Sequence, residues 1–180
     1  MRVLAASILS IALAACNLAP MYAGGGTGAV GQGLAAIEVA PIQGRAGWLM
    51  RNALNDRLSA GGAAAGAAAP RYRLDVRLDD QLEGLGVLGD DTIGRERRIL
   101  RARYQLVDLA SNDIVLDATS GSDAGIDVVS SEYAVIAAEE RALENLAQEV
   151  AQRMVAQIAL RLRENGLSEN GVGGSGRATE

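Results

Sequence analysis

The chain has 180 residues and a net charge of −5, with 22 acidic side chains against 17 basic ones, every one of them Arg. It contains no His, no Lys and a single Cys, which excludes Ser-His-Asp and Cys-His nucleophiles, His-ligated metals, an internal disulfide and any Cys-rich metal site. An acidic balance also speaks against nucleic acid as a partner, whereas 49% apolar and 22% charged residues suffice for one packed domain with extensions.

The N-terminus carries the sharpest local signal. Met1-Arg2 precedes an apolar run from Val3 to Ala12, and Leu13-Ala14-Ala15-Cys16 follows. A positive start, a short apolar stretch and small residues before a cut describe a secretory signal, too short to span a bilayer as a mature helix. The Leu-Ala-Ala-Cys ending resembles a bacterial lipobox. That resemblance implies that residues 1–15 are a lipoprotein signal peptide, and that Cys16 is lipidated on sulfur and becomes the mature N-terminus. An ordinary secretory cut beside a stray thiol is the plain alternative, but the only Cys stands at the one position a lipobox requires. One acyl chain anchors marginally, and the three chains that the resemblance implies would hold firmly. No cofactor is expected beyond this covalent lipid. In the sorting rule of enteric bacteria Asp after the Cys retains a lipoprotein in the inner membrane, so Asn17 points to the periplasmic face of the outer membrane.

The mature chain then divides into a lipidated Gly-rich tether (16–33), an α+β domain (34–165) and a polar, disordered tail (166–180). Leu34 to Ala40 reads as a short strand ended by Pro41. Arg45 to Ser59 places Met50, Leu54 and Leu58 at helical spacing and is stopped by Gly61-Gly62, with an Ala/Gly insert (59–70) whose Ala63–Pro70 part reads as a loop. Two segments then alternate with period two. Tyr72, Leu74, Val76 and Leu78 point one way and Arg73, Asp75, Arg77 and Asp79 the other; Leu100, Ala102, Tyr104 and Leu106 oppose Arg97, Arg101, Arg103 and Gln105. Gly84 to Gly94 reads as a long hairpin loop between them. Ser111-Asn112-Asp113 turns the chain into a third alternating strand, with Ile114, Leu116 and Ala118 on one face. A long amphipathic helix closes the domain from Ser131 to Asn165, its stripe running from Leu143 to Leu162 and its end set at Gly166.

The order β-α-β-β-β-α, with one apolar stripe per helix and one apolar face per strand, predicts a two-layer sandwich: two helices packed on one face of a four-stranded mixed sheet.

Little in this chain suits catalysis. Asp79-Asp80 on a strand point to opposite faces, and Glu139-Glu140 on a helix diverge by about 100°. Asp90-Asp91 lacks the ordered ligand series of a calcium loop, and the Gly-rich tether lacks the Gly-Lys-Ser/Thr of a phosphate loop. The arginines are more informative. Arg95, Arg97, Arg98, Arg101 and Arg103 crowd into nine positions. Alternation gives Arg97, Arg101 and Arg103 the wet face, where Arg73 and Arg77 of the neighbouring strand join them. Guanidinium forks there suit phosphate or carboxylate. The competing reading is a solvated face on which the arginines pair with Asp75, Asp79 and neighbouring acids.

Taken in order, these segments resemble the LPS-assembly lipoprotein family, the lipoprotein component of the lipopolysaccharide-transport machinery, in particular its alphaproteobacterial members. The resemblance rests on Cys16-Asn17-Leu18-Ala19-Pro20-Met21-Tyr22, Arg45-Ala46-Gly47 with Leu49 to Leu54, Tyr72-x-Leu74, Arg98 to Asp108, and Ser131-Glu132-Tyr133-Ala134 with Ala138-Glu139 and Ala142. The opening departs from the family's Cys-Gly-Phe-x-Pro-Leu-Tyr at Asn17, Leu18 and Met21. The resemblance implies a non-enzymatic subunit that sits within, helps assemble and plugs a large outer-membrane β-barrel, the translocon's barrel subunit, and that binds lipopolysaccharide. Arg97, Arg98, Arg101 and Arg103, with Arg73 and Arg77, become the candidate contacts to lipopolysaccharide phosphates or acidic lumen residues. The Gly84–Gly94 loop and the turn near Asp123 to Val129 are candidate tip contacts. Two other readings compete: a lipoprotein accessory of a phospholipid-trafficking transporter, and a lipid-anchored hydrolase using carboxylates, which the missing His and diverging acids disfavour.

Overall fold

The computed structural model describes residues 29–59, 69–87 and 93–172. The signal segment, Cys16, the tether up to Gly28 and most of the Ala/Gly insert lie outside them. The elements are α1 (Ala29–Ala35), β1 (Ile37–Val39), α2 (Gly44–Ser59), β2 (Tyr72–Val87), β3 (Ile93–Asp108), β4 (Ile114–Asp127) and α3 (Glu132–Val172). The strands form one sheet in the order β1-β2-β3-β4, parallel between β1 and β2 and antiparallel elsewhere. This is the expected α+β sandwich on a mixed sheet, in the expected order.

The period-two pattern builds the core directly. Leu74, Leu100, Ala102, Tyr104 and Leu106 project to one face of the sheet and are buried. Met50, Leu54 and Leu58 of α2 meet them, as do Leu143, Leu146, Val150, Met154 and Ile158 of α3. Removing such side chains from water is the main stabilising term, roughly 1.5–3 kcal/mol for each large one. The core carries one polar crossing: the buried Tyr104 hydroxyl donates to Gln157 Oε1 on α3. Burial pushes the Tyr104 pKa up, and a hydrogen bond with buried Ser120 of β4 partly offsets that.

Five boundaries differ from expectation, each for a physical reason. Leu34 belongs to α1 rather than to a strand, and only Ile37–Val39 pair with β2. A short apolar run satisfies either conformation, and Leu34 is buried in the helical one. The Gly84–Gly94 loop is in fact ladder for much of its length, with Gly84 opposite Glu96, Leu85 opposite Arg95 and Val87 opposite Ile93. Glycine weakens a strand but leaves its backbone hydrogen bonds available. Asp123 to Asp127 are likewise strand, paired with Ile99 to Arg95, so the turn is confined to the residues after Asp127. Ile114 leaves the inward face because the register slips between Leu106 and Val107, which leaves Ile114 opposite Val107 and 56% exposed. Finally, α3 runs through Gly166 to Val172. A helical glycine costs only about 1 kcal/mol relative to Ala, and Gly166 does not take the left-handed conformation that would end the helix.

Two predicted boundaries, a turn and a helix start, are accurate. Asn112 sits at φ 60, the left-handed geometry that Asn tolerates, and turns β3 into β4. The Ser131 carbonyl accepts from the amides of Ala134 and Val135, opening α3.

Candidate surface for anion and partner contact

The face of the sheet away from the helices is built by the odd positions of β2, β3 and β4. It brings Arg73, Arg77, Arg97, Arg101 and Arg103 together as predicted, and adds Arg95. The same geometry brings in acids that alternation in one strand does not reveal. Arg97 pairs with Asp123 at 3.0 Å, Arg95 with Asp127 at 3.2 Å, and Arg73 with Asp75 of its own strand at 3.0 Å. Arg103 meets Asp117 at 3.1 Å, and Gln105 donates to the same carboxylate at 2.9 Å. That contact holds the Asp117 carboxyl below its ordinary pKa, first through Arg103 and then through Gln105, and raises the Arg103 guanidinium in return. The solvated, ion-paired reading of this face therefore describes most of it.

Two arginines escape that lattice. Arg77 and Arg101 are exposed and make no ion pair or side-chain hydrogen bond among the described residues. Asp79 stands directly opposite Arg101, but its carboxylate is occupied by the Gln81 amide at 3.0 and 3.1 Å. On the other side of Arg101 stands Gly121, where a Cβ would come within 3.1 Å of the Arg101 Cγ, so the arginine stem uses the space a side chain would fill. Arg77 faces Arg103, which is drawn towards Asp117. Arg77 and Arg101 are diagonal neighbours across β2 and β3, roughly 7–8 Å apart by sheet geometry. They make an uncommitted pair of guanidiniums in the middle of a neutralised face.

Arg98 is placed apart from the other candidates. It points to the helix side, grips Asp80 through two bonds of 2.9 and 2.7 Å, and donates to the Glu139 carbonyl of α3 at 3.1 Å. The Asp80 hydrogen bond raises its pKa, with burial opposing. Arg98 fastens α3 to the hairpin.

The paired acids separate as geometry demands. Asp79 and Asp80 lie on opposite faces, Glu140 is bound by Arg45 at 3.2 Å, and Asp90-Asp91 fall outside the described residues. Among the described residues no group of acidic or sulfur side chains converges as metal ligands, and no helix is long and apolar enough to cross a membrane. Arg153 and Arg161, on the outward polar stripe that the sequence predicts for α3, fold onto the Gly121 and Val115 carbonyls of β4. Their only advance signal is an eight-residue spacing on the polar stripe, and that spacing does not name a target.

Comparison with known families decides between the readings. The family model LptE, Lipopolysaccharide-assembly, matches residues 34–158, which is more than half of the chain and most of its folded part. The chain belongs to the LptE family. LptE proteins are non-catalytic accessory lipoproteins of lipopolysaccharide transport, and the chain is accordingly not an enzyme. No curated protein matches the sequence. Among known structures, a candidate lipoprotein of Caulobacter crescentus is similar at 24% identity and TM-score 0.63, covering 77% of this chain and 98% of that one. A minor lipoprotein of Acinetobacter baumannii is 16% identical with TM-score 0.55, over 69% and 90% of the two chains. The rare lipoprotein B of Shewanella oneidensis is 12% identical with TM-score 0.54, over 73% and 96%. At these identities the likeness concerns the fold.

Proposed function

We propose that this LptE-family chain is lipidated at Cys16, is held at the periplasmic face of the outer membrane, and sits within a large β-barrel, the barrel subunit of the lipopolysaccharide translocon, as assembly factor, plug and lipopolysaccharide-binding subunit. The observation that carries the reading is the family match over residues 34–158. Two uncommitted guanidiniums on the outer face support an anion contact: Arg101 is able to meet lipopolysaccharide phosphates and Arg77 an acidic residue of the barrel lumen, with Arg73, Arg97 and Arg103 able to exchange their present carboxylate partners for phosphate. Arg98 contributes to fold rather than to contact.

The test is a pull-down of the native lipidated protein from solubilised outer membranes, with every stoichiometric partner identified by mass. One large β-barrel retained at high salt is the expected result, and recovery with inner-membrane transporter subunits would refute the barrel reading. For the anion contact, Arg101→Glu is expected to weaken lipopolysaccharide binding in a salt-sensitive way; undiminished binding by the folded variant would remove this residue from the site.

A further inference from the structure

The two edges of the sheet are not equivalent. Along β4 the odd residues turn their backbone groups outward, and α3 reaches over to meet them: Arg161 Nε donates to the Val115 carbonyl at 3.0 Å and Arg153 to that of Gly121. Among the described residues the opposite edge is covered only at its start. β1 pairs with Tyr72 to Leu74, Ala40 N–H donates to the Leu74 carbonyl at 3.0 Å, and Pro41 then removes the next donor and the chain turns into α2. Because the Tyr72 amide and the Leu74 carbonyl bond towards β1 while the Arg71 carbonyl faces β3, the even residues Val76, Leu78, Asp80, Leu82 and Gly84 present both backbone groups to this open side. Among the described residues, no hydrogen bond reaches them there.

The side chains bordering the open edge are also unfinished. Arg77 and Glu83 have no ion-pair partner among the described residues, and Leu82 and Leu85 are 46% and 40% exposed. A second copy of β2 fits poorly. The one antiparallel two-fold register that sets Arg77 opposite Glu83 sets Asp80 opposite Asp80, crowding two carboxylates at the centre of the junction that are each already committed to an Arg98. An inward-facing charge of this kind is a recognised guard against self-pairing of edges.

From this edge we infer that β2 accepts an extended strand from a partner protein, which on the function proposed above is a segment of the barrel. The added strand continues the lane of β1 along Val76 to Gly84. It carries an acidic side chain opposite Arg77, a basic one opposite Glu83, no acid opposite Asp80, and apolar residues beside Leu78 and Leu82. Main-chain bonds supply the affinity and the two charges set the register.

Leu82→Pro isolates the edge, because it deletes one outward N–H while the β2–β3 ladder, made by odd residues, keeps its bonds. The lipidated variant is expected to fold with an unchanged unfolding midpoint and to hold the co-purified barrel about tenfold more weakly, the equivalent of one lost buried hydrogen bond. Exchange of the even-numbered amides from Val76 to Gly84 should be fast in the free protein and slow in the barrel complex, while the odd ones are slow in both. A complex that forms equally well with Leu82→Pro, and in which 76–84 exchange as fast as in the free chain, overturns strand addition while leaving the barrel reading standing. A wild-type chain that retains no barrel overturns the function proposed and the strand donor with it. Protection of 76–84 in a dimer of this chain overturns the choice of occupant.

Discussion

The three long strands of the sheet build its two faces with the same period, yet the faces are held by different forces. The inner face is mainly apolar and closed by α2 and α3, with a few polar groups such as Tyr104 with Gln157 and Arg98 with Asp80 among the buried side chains. The outer face matches arginines to acids one by one and leaves Arg77 and Arg101 over. The inner face therefore carries the stability of the domain, and the outer face is free to change its partners with little cost to folding. Substituting neighbours in one strand tests this division directly.

The largest effect is expected at Leu100, fully buried on the inner face. Leu100→Ala should cost about 2–5 kcal/mol of unfolding free energy. Ile99→Ala, one residue away on the outer face, should cost about 1 kcal/mol or less. Equal losses in denaturant melts would end the claim that the two faces differ. Next comes Gly47, buried on α2, where a Cβ would lie 2.6 Å from the Ile42 carbonyl oxygen. That neighbour is backbone and cannot swing away, so Gly47→Ala should destabilise by about 1–3 kcal/mol. A neutral result would show that the 41–43 turn moves freely.

The arginines sharpen the comparison within one residue type. Arg98→Ala strands Asp80, whose side chain is only 24% exposed, and loosens α3 from the hairpin. A loss of about 1–3 kcal/mol is expected. Arg101→Ala should leave stability within about 0.5 kcal/mol, and any loss it causes should appear in lipopolysaccharide binding instead. If the thermal melts of the two variants coincide, the separation of a structural from a contact arginine fails.

The fold is legible in the residues because its signals are periodic. Tyr72 to Leu78 and Leu100 to Leu106 alternate without a break, and α2 and α3 repeat at helical spacing, so element type and layer follow from the pattern. What the sequence hides lies between strands. That Arg97 takes Asp123 and Arg103 takes Asp117 depends on the register of β3 with β4, and the slip at Leu106/Val107 shifts one end of it. Proximity in the chain groups Arg98 with its neighbours; parity already sets it on the other face from Arg97, Arg101 and Arg103, but what it grips there, Asp80 and the Glu139 carbonyl, comes only with the packed structure. The free edge of β2 is hidden for a further reason. It follows from how short β1 is, and the apolar run from Leu34 gives no sign that half of it is helix.

The smallest expected effect is the response of the outer face to acid. Arg103 and Gln105 hold the Asp117 carboxyl below its ordinary value, and at the β3–β4 turn the Ala110 amide does most to lower Asp108. A carboxyl whose pKa is lower in the folded than in the unfolded chain takes up its proton first in the unfolded chain as pH falls. Its contribution is therefore complete above the ordinary carboxylate range, about pH 4, and disappears as the pH drops through the depressed folded values. Stability should be level from neutrality to that range and should decline below it, with part of the decline missing in Asp108→Asn and Asp117→Asn. Salt should flatten the Asp117 part, because that carboxylate depends on an exposed guanidinium. It should do less at Asp108, whose leading partner is a backbone N–H. An acid slope that survives unchanged in the double variant would show that neither carboxyl carries it and that the outer-face contact of Arg103 with Asp117 adds nothing to folding.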